Sequence, residues 1–270
     1  MVEPKIEGKR LYKLLYNDYD FNFGGNVVGI SGAQGSVKTT VCLDLAEKKL
    51  AHHNDEKIFW RETLKSPMQC QRLIKYDYNI YIEKDCKLQF IKAKTQKVFD
   101  PDVIYFDGVK DLYNMVDYGV INVVFFKSSK GWTNLIEECN INSNQWDTVF
   151  LDEMEGLYYA GANNQTEDRW WDWMNSSGEV IKECRKSHTS VIGNYHDENL
   201  IDHRIKNKFM FYMYGFGAVV NRSRSRIKQS MADGCPMGTF CIAQGRNRYG
   251  KVKIKQHYPA IDDCIVVTVV

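Results

Sequence analysis

Two kinds of hydrophobic run alternate along this chain. Short, continuous apolar stretches, "NVVGISG" (26–32), "VINVVFFKS" (120–128), "DTVFLDE" (147–153) and "TSVIGN" (189–194), have the pattern of strands buried on both faces. Segments with helical spacing lie between them. In "KTTVCLDLAEKKLAHH" (38–53), Val41, Leu43, Leu45, Ala46 and Leu50 recur at roughly helical intervals, with lysines late. "WTNLIEECN" (132–140) and "EDRWWDWMNSSGEVIKECRKS" (167–187) read as further helices, and "KIFWRE" (57–62) as another strand. A polar loop over 160–167 separates the strand at 147–153 from the long helix. From 208 onward the pattern turns to strands: "KFMFYMYGFG", "GTFCIAQG" and "KVKIKQHY".

This alternation predicts an α/β fold, a mostly parallel central sheet with crossover helices and a β-rich C-terminal part at about 208–270. Residues 63–118 fit it least and read as an insertion, with a helix around "PMQCQRLIKY" and β-like runs at "LQFIKA" (88–93) and "DVIYFD" (102–107). No repeat, low-complexity tract or Pro/Gly linker divides the 270 residues, and 44% hydrophobic composition suffices for one sizeable core. A single domain is expected. No apolar run reaches the ~18 residues of a membrane span. The opening "MVEPKIEGKRLYKLLY" lacks a signal-peptide core, so a cytoplasmic protein is expected. Eight scattered cysteines without a C-x-x-C pair signal neither a zinc site nor a disulfide framework. The net charge of +2 points to no partner by itself.

The chemistry is concentrated at "GISGAQGSVKTTV" (29–41). It follows the phosphate-binding pattern G-x-x-x-x-G-K-[ST], with Gly32, Lys38 and Thr39 at the required spacing, between a strand and a helix. In such a loop, backbone N–H groups over Gly32, Ala33, Gln34, Gly35, Ser36, Val37, Lys38, Thr39 and Thr40 curl around the phosphates at a helix N-terminus. Lys38 would neutralise β- and γ-oxygens of ATP, and the Thr39 hydroxyl would bind Mg2+. Downstream, "TVFLDE" ends a buried strand in two acids. Asp152 is the second magnesium contact expected there, and Glu153 the group that polarises the attacking water. The plainer alternative is a strand end entering a loop. Asn194, at the tip of the next strand, could hydrogen-bond the γ-phosphate or the lytic water, or simply cap a turn.

A P-loop, a strand ending Asp-Glu, and a strand ending in a polar residue followed by "DENLIDHRI" resemble the additional-strand catalytic-glutamate class of P-loop ATPases. Within it the chain is most similar to the HerA/FtsK branch, which includes viral genome-packaging ATPases and zonular occludens toxin-like proteins. The match covers roughly 26–62 and 120–215. It implies a RecA-like domain working as a homo-oligomeric ring, hexameric or pentameric, with an arginine donated by the neighbouring subunit and double-stranded DNA moved through the centre. Arg169, Arg185 and Arg204 are the candidate arginines, each with a surface salt bridge as its rival role. A Zot-like assembly or export ATPase and a non-hydrolysing P-loop scaffold remain as other readings. A small-molecule kinase fits poorly, since no arginine-rich lid is present and the Asp-Glu pair favours water as nucleophile.

Val37 breaks the pattern, standing where the second glycine belongs. A β-branched residue resists the positive φ a glycine would supply. Three readings stay open: a native variant that still binds nucleotide, a lost site, or an introduced substitution. Lys38, Thr39, Asp152 and Glu153 are all retained, so an ancestral ATPase activity is favoured. In "NRSRSRIKQS" (221–230), Arg222, Arg224, Arg226 and Lys228 alternate, which in an extended segment gives one basic face suited to a nucleic-acid backbone. "GRNRYGKVKIK" (245–255) looks like a hairpin with more cations. A solvated edge strand protected by charge explains both as well.

Overall fold

Strand β1 (Val27–Ser31) lies near the middle of a ten-stranded sheet, because its five residues are all buried and need cover on both faces. The computed structural model describes residues 8–16, 24–142, 144–159, 168–220, 233–244 and 248–270. Helix α1 (Gly8–Tyr16) precedes β1, and α2 (Lys38–His52) follows it. Next come β2 (Lys57–Arg61), β3 (Tyr78–Glu83), β4 (Leu88–Lys92), β5 (Val98–Phe99) and β6 (Ile104–Phe106). Then follow α3 (Val109–Met115), β7 (Ile121–Phe125), α4 (Lys130–Ile141), β8 (Asp147–Leu151) and α5 (Asp168–Glu183). The chain continues through β9 (Thr189–Tyr195), α6 (His203–Lys206), β10 (Phe211–Tyr214), β11 (Thr239–Gln244), β12 (Arg248–Lys253) and β13 (Ile265–Val269).

The order is β12-β11-β10-β1-β9-β8-β2-β7-β3-β6. Every pairing from β10 to β6 is parallel, and the β10–β11 and β11–β12 pairings are antiparallel. This is the mostly parallel, helix-flanked sheet expected from the alternation of runs. β9 stands between β1 and β8, so the strand carrying Asn194 is inserted between the strand of the phosphate loop and the strand ending in Asp152. Residues 63–118 supply β3 and β6 to this sheet, and β4 and β5 join β13 in a separate three-stranded sheet.

Alternation along the strands divides the interior into two cores. Phe59, Tyr81, Val149, Leu151 and Val191 pack with Leu135, Ile136 and Ile181 of α4 and α5. Val28, Ile30, Trp60, Phe150 and Ile192 pack on the other face with Val41 and Leu45 of α2 and Phe90 of the small sheet. The expected helix at 67–76 is not formed. That segment has only a single-turn 3-10 helix at Cys70–Arg72. The amides of Gln69 and Cys70 donate to the Glu62 carboxylate at 2.9 and 2.8 Å, and Met68 N donates to Ile265 O at 2.8 Å. Those contacts bind the segment to the ends of β2 and β13 and preclude a regular helix. Among the described residues no helix is long and apolar enough to cross a membrane.

Candidate nucleotide-binding site

Parallel strands bring the loops after β1, β8, β9 and β2 to one edge of the sheet, the carboxyl edge, where ligands of open α/β sheets bind. Gly32 opens the phosphate loop because the chain doubles back on it: a Cβ there would meet Ser36 Oγ at 2.3 Å. Gln34 and Gly35 are exposed, Val37 and Thr39 half-buried, and Ser36, Lys38 and Thr40 buried. Gly35 (φ 77) and Val37 (φ 64, ψ 26) both take left-handed backbones, with Val37 as the N-cap of α2. The loop thus keeps the glycine path with a valine in it, and Val41 N donates to Val37 O at 3.2 Å to begin the helix.

Lys38 Nζ donates to Gly32 O at 2.8 Å and Ala33 O at 3.0 Å, across the loop. Burial lowers its pKa, and the carboxylates of Glu155, Asp152 and Glu153 oppose that effect. Ala33 N donates to Phe216 O at 2.9 Å, so this amide reaches a ligand only by leaving the turn after β10.

Asp152 follows β8 and is buried. Its Oδ1 accepts from Asn194 Nδ2 at 2.6 Å and its Oδ2 from Thr63 Oγ1 at 3.0 Å, which fixes the carboxylate plane. Asn194 also receives Glu153 N at Oδ1, at 3.1 Å, and its Nδ2 lies 3.6 Å from Cys42 Sγ. Burial pushes that thiol up to about 12, so it stays neutral. Structure thus brings together Asp152, Glu153 and Asn194, as the strand order requires. Thr39 and Asp152 carry the hydroxyl and carboxylate oxygens that a hard cation takes as ligands.

Sequence reasoning missed Arg61, Thr63, Glu155 and His196. Arg61 Nη1 donates to the carbonyl of Asp152 and, at 3.3 Å, to that of Glu153, bracing the turn after β8. Its signal was an arginine at the end of a buried strand, in "KIFWRE".

Of the candidate arginines, Arg204 is engaged within the chain. Its Nε donates to Asp202 Oδ1 at 2.8 Å and its Nη2 to Oδ2 at 2.8 Å. Arg185 Nη2 donates to Lys208 O at 2.8 Å, while Arg185 O lies against Gly24, at the opposite edge of the sheet from the phosphate loop. The side chain of Arg169 lies outside the described residues, as do Arg222, Arg224, Arg226 and Lys228 and the loop at 160–167. β12 pairs with β11, so Lys251 and Lys253 of "KVKIK" sit on one strand of a longer hairpin, and Lys255 follows its end.

No protein-family model and no curated protein matches the chain. Solved structures do. The genome packaging NTPase from Sulfolobus turreted icosahedral virus 2 in complex with ATP-gammaS has a TM-score of 0.55 at 11% identity, covering 85% of this chain and 97% of that one. Its complex with AMPPCP gives 0.56 at 11%, covering 86% and 99%. The DNA-packaging ATPase from Sulfolobus Turreted Icosahedral Virus gives 0.53 at 11%, covering 86% and 98%. At this identity the likeness is one of fold. The chain shares with these NTPases a RecA-like P-loop fold, with β9 inserted between β1 and β8.

Proposed function

We propose that this chain hydrolyses ATP and uses the energy to move double-stranded DNA, acting as a ring of identical subunits in the cytoplasm, the host's if the protein is viral. The observation that carries the hydrolytic part is the bonded set Asp152–Asn194–Glu153 on β8 and β9, beside the loop of Lys38. Lys38 would exchange its two carbonyl partners for β- and γ-oxygens. Thr39 and Asp152 would hold a magnesium ion, which supplies charge neutralisation between the phosphates. Glu153 would take a proton from the attacking water and Asn194 would keep it in line. The basic row at 221–228 and the exposed Lys251 and Lys253 of edge strand β12 support contact with a phosphate backbone.

Left-handed Val37 favours one other reading, a P-loop scaffold that binds nucleotide weakly and does not turn it over. Phosphate release by the full chain, with and without duplex DNA, separates the two. The motor reading expects release that DNA stimulates and Lys38→Ala abolishes. Nucleotide binding without release would establish the scaffold. DNA-independent release would remove the motor and leave a Zot-like assembly ATPase.

A further inference from the structure

The sheet order sets the direction in which a nucleotide lies on the phosphate loop. β1 stands between β10 and β9, and β8 lies beyond β9. Asp152 and Glu153 follow β8 and Asn194 lies in β9, so all three stand to one side of β1. A triphosphate is a linear chain. With its γ end held beside those residues, it runs back over the loop, and its ribose and base emerge on the side of β10.

The turn after β10 is built against the phosphate loop. Gly215 N donates to Ser31 O at 2.8 Å, and Ala33 N donates to Phe216 O at 2.9 Å. Gly217 (φ 67) comes so close that a Cβ there would lie 2.7 Å from Ala33 Cβ. Only glycine suits both that backbone and that approach. The backbone of Phe216 is thus pinned to the loop, while its side chain is left 46% exposed and joins neither core. Met237, 55% exposed, stands at the same edge, because it precedes β11 and Cys241 of β11 pairs with Tyr214 of β10. Single exposed apolar side chains are ordinary. Two of them at the edge where a base emerges, one on a backbone fixed to the phosphate site, call for a ligand with a flat apolar face.

We propose that Phe216 is the base platform of the nucleotide site, its ring stacking on the face of the adenine, with Met237 bordering the same place. This rests on the nucleotide-binding part of the reading above. Stacking uses the π-face of a base, and an aromatic ring on a fixed backbone gives up little freedom to supply it. The contact is made equally before and during hydrolysis. It therefore sets how tightly nucleotide is held and leaves the rate of turnover alone.

Calorimetry with AMPPCP and with inorganic tripolyphosphate, each with magnesium, tests this on the full chain, with thermal melts as a check on folding. Phe216→Ala should weaken AMPPCP by roughly 5- to 100-fold, the scale of one base–aromatic stack, and leave tripolyphosphate binding as it was. Phe216→Tyr should keep the affinity for AMPPCP. Phe216→Trp should keep it too, and should add an indole emission that AMPPCP quenches and tripolyphosphate does not. In steady state Phe216→Ala should raise KM and leave kcat unchanged. Unchanged AMPPCP affinity in Phe216→Ala would overturn the proposal. So would a tyrosine as harmful as alanine, or an equal loss of both ligands, which would mean damage to the phosphate loop through Ala33. If the parent chain binds AMPPCP and Phe216→Ala equals it, only this inference falls. If the parent binds neither ligand, the nucleotide-binding reading falls and takes this one with it.

Discussion

Asn194 clasps both acids that follow β8: its Nδ2 donates to Asp152 Oδ1 at 2.6 Å and its Oδ1 accepts Glu153 N at 3.1 Å. One side chain thus sets the plane of the carboxylate proposed to hold magnesium and the backbone of the residue proposed to polarise the water. It can do so because β9 lies directly beside β8, with Leu151 opposite Gly193. Asn194→Ala should leave both acids present but unaimed. A kcat lowered by roughly 100-fold with nucleotide affinity little changed is expected, as for loss of a transition-state contact. Single-turnover kinetics with ATP and calorimetry with AMPPCP check the split.

Val37 holds a left-handed backbone that valine resists (φ 64). Strain at such a position costs on the order of 1–3 kcal/mol. Val37→Gly removes it where the loop must wrap an anion, so ATP analogues should bind roughly tenfold to hundredfold tighter. Global stability should change by less than about 1 kcal/mol, because glycine's freedom in the unfolded chain offsets the relief. Equal affinity in Val37→Gly and the parent would mark valine as a tolerated native residue.

Glu62 and Asp147 give the fold a pH dependence. Burial pushes both carboxyls up to about 7, against the donors Cys70 N and Gln69 N at Glu62 and the Tyr113 hydroxyl at Asp147. Their ordinary values are 4.5 and 3.8, so through the window up to about 7 the folded chain holds more protons than the unfolded one. Stability from these groups is therefore full in acid and lost as pH rises towards 7, on the order of 3–4 kcal/mol for each. Urea midpoints at pH 5 and pH 8 would show it. Glu62→Gln and Asp147→Asn should each remove a share of the slope.

Arg204 is expected to matter for folding rather than for a neighbouring active site. Asp202 is 3% exposed, and although burial raises its pKa, Arg204 holds it below the usual carboxylate range. Arg204→Ala leaves that buried charge without its partner and should cost about 2–4 kcal/mol. Denaturant unfolding measures the loss. Mixing Arg204→Ala with Glu153→Gln subunits should then restore no activity, whereas an arginine acting in trans would give partial recovery at mixed interfaces.

The parallel sheet and its central strands are legible in the sequence because each is a continuous apolar run, and burial on both faces leaves no other pattern. β3 is not, since "YNIYIE" is only partly buried and follows residues with helix-like spacing. β13 pairs with β4 in a sheet of its own, so its partner is remote in sequence. Lys38, Asp152 and Asn194 are legible because the first opens the helix after β1 and the other two lie at the ends of β8 and β9. Arg61 and Glu155 are hidden for a different reason: one bonds backbone carbonyls and the other a histidine far along the chain, and neither relation leaves a local pattern.

The division of the interior by the sheet has a consequence for how damage accumulates. Leu135 and Leu43 are both fully buried, one in each core, and Met210 is the partly buried side chain that packs against both. Each leucine-to-alanine change should cost about 2–5 kcal/mol, and residues that share no partner add to within about 0.5 kcal/mol. The sheet therefore acts as an insulator: a cavity on one face cannot relax by borrowing atoms from the other. Two lesions on opposite faces combine as independent losses, while two on one face interact, and Met210 is the place where one face can register a change made in the other.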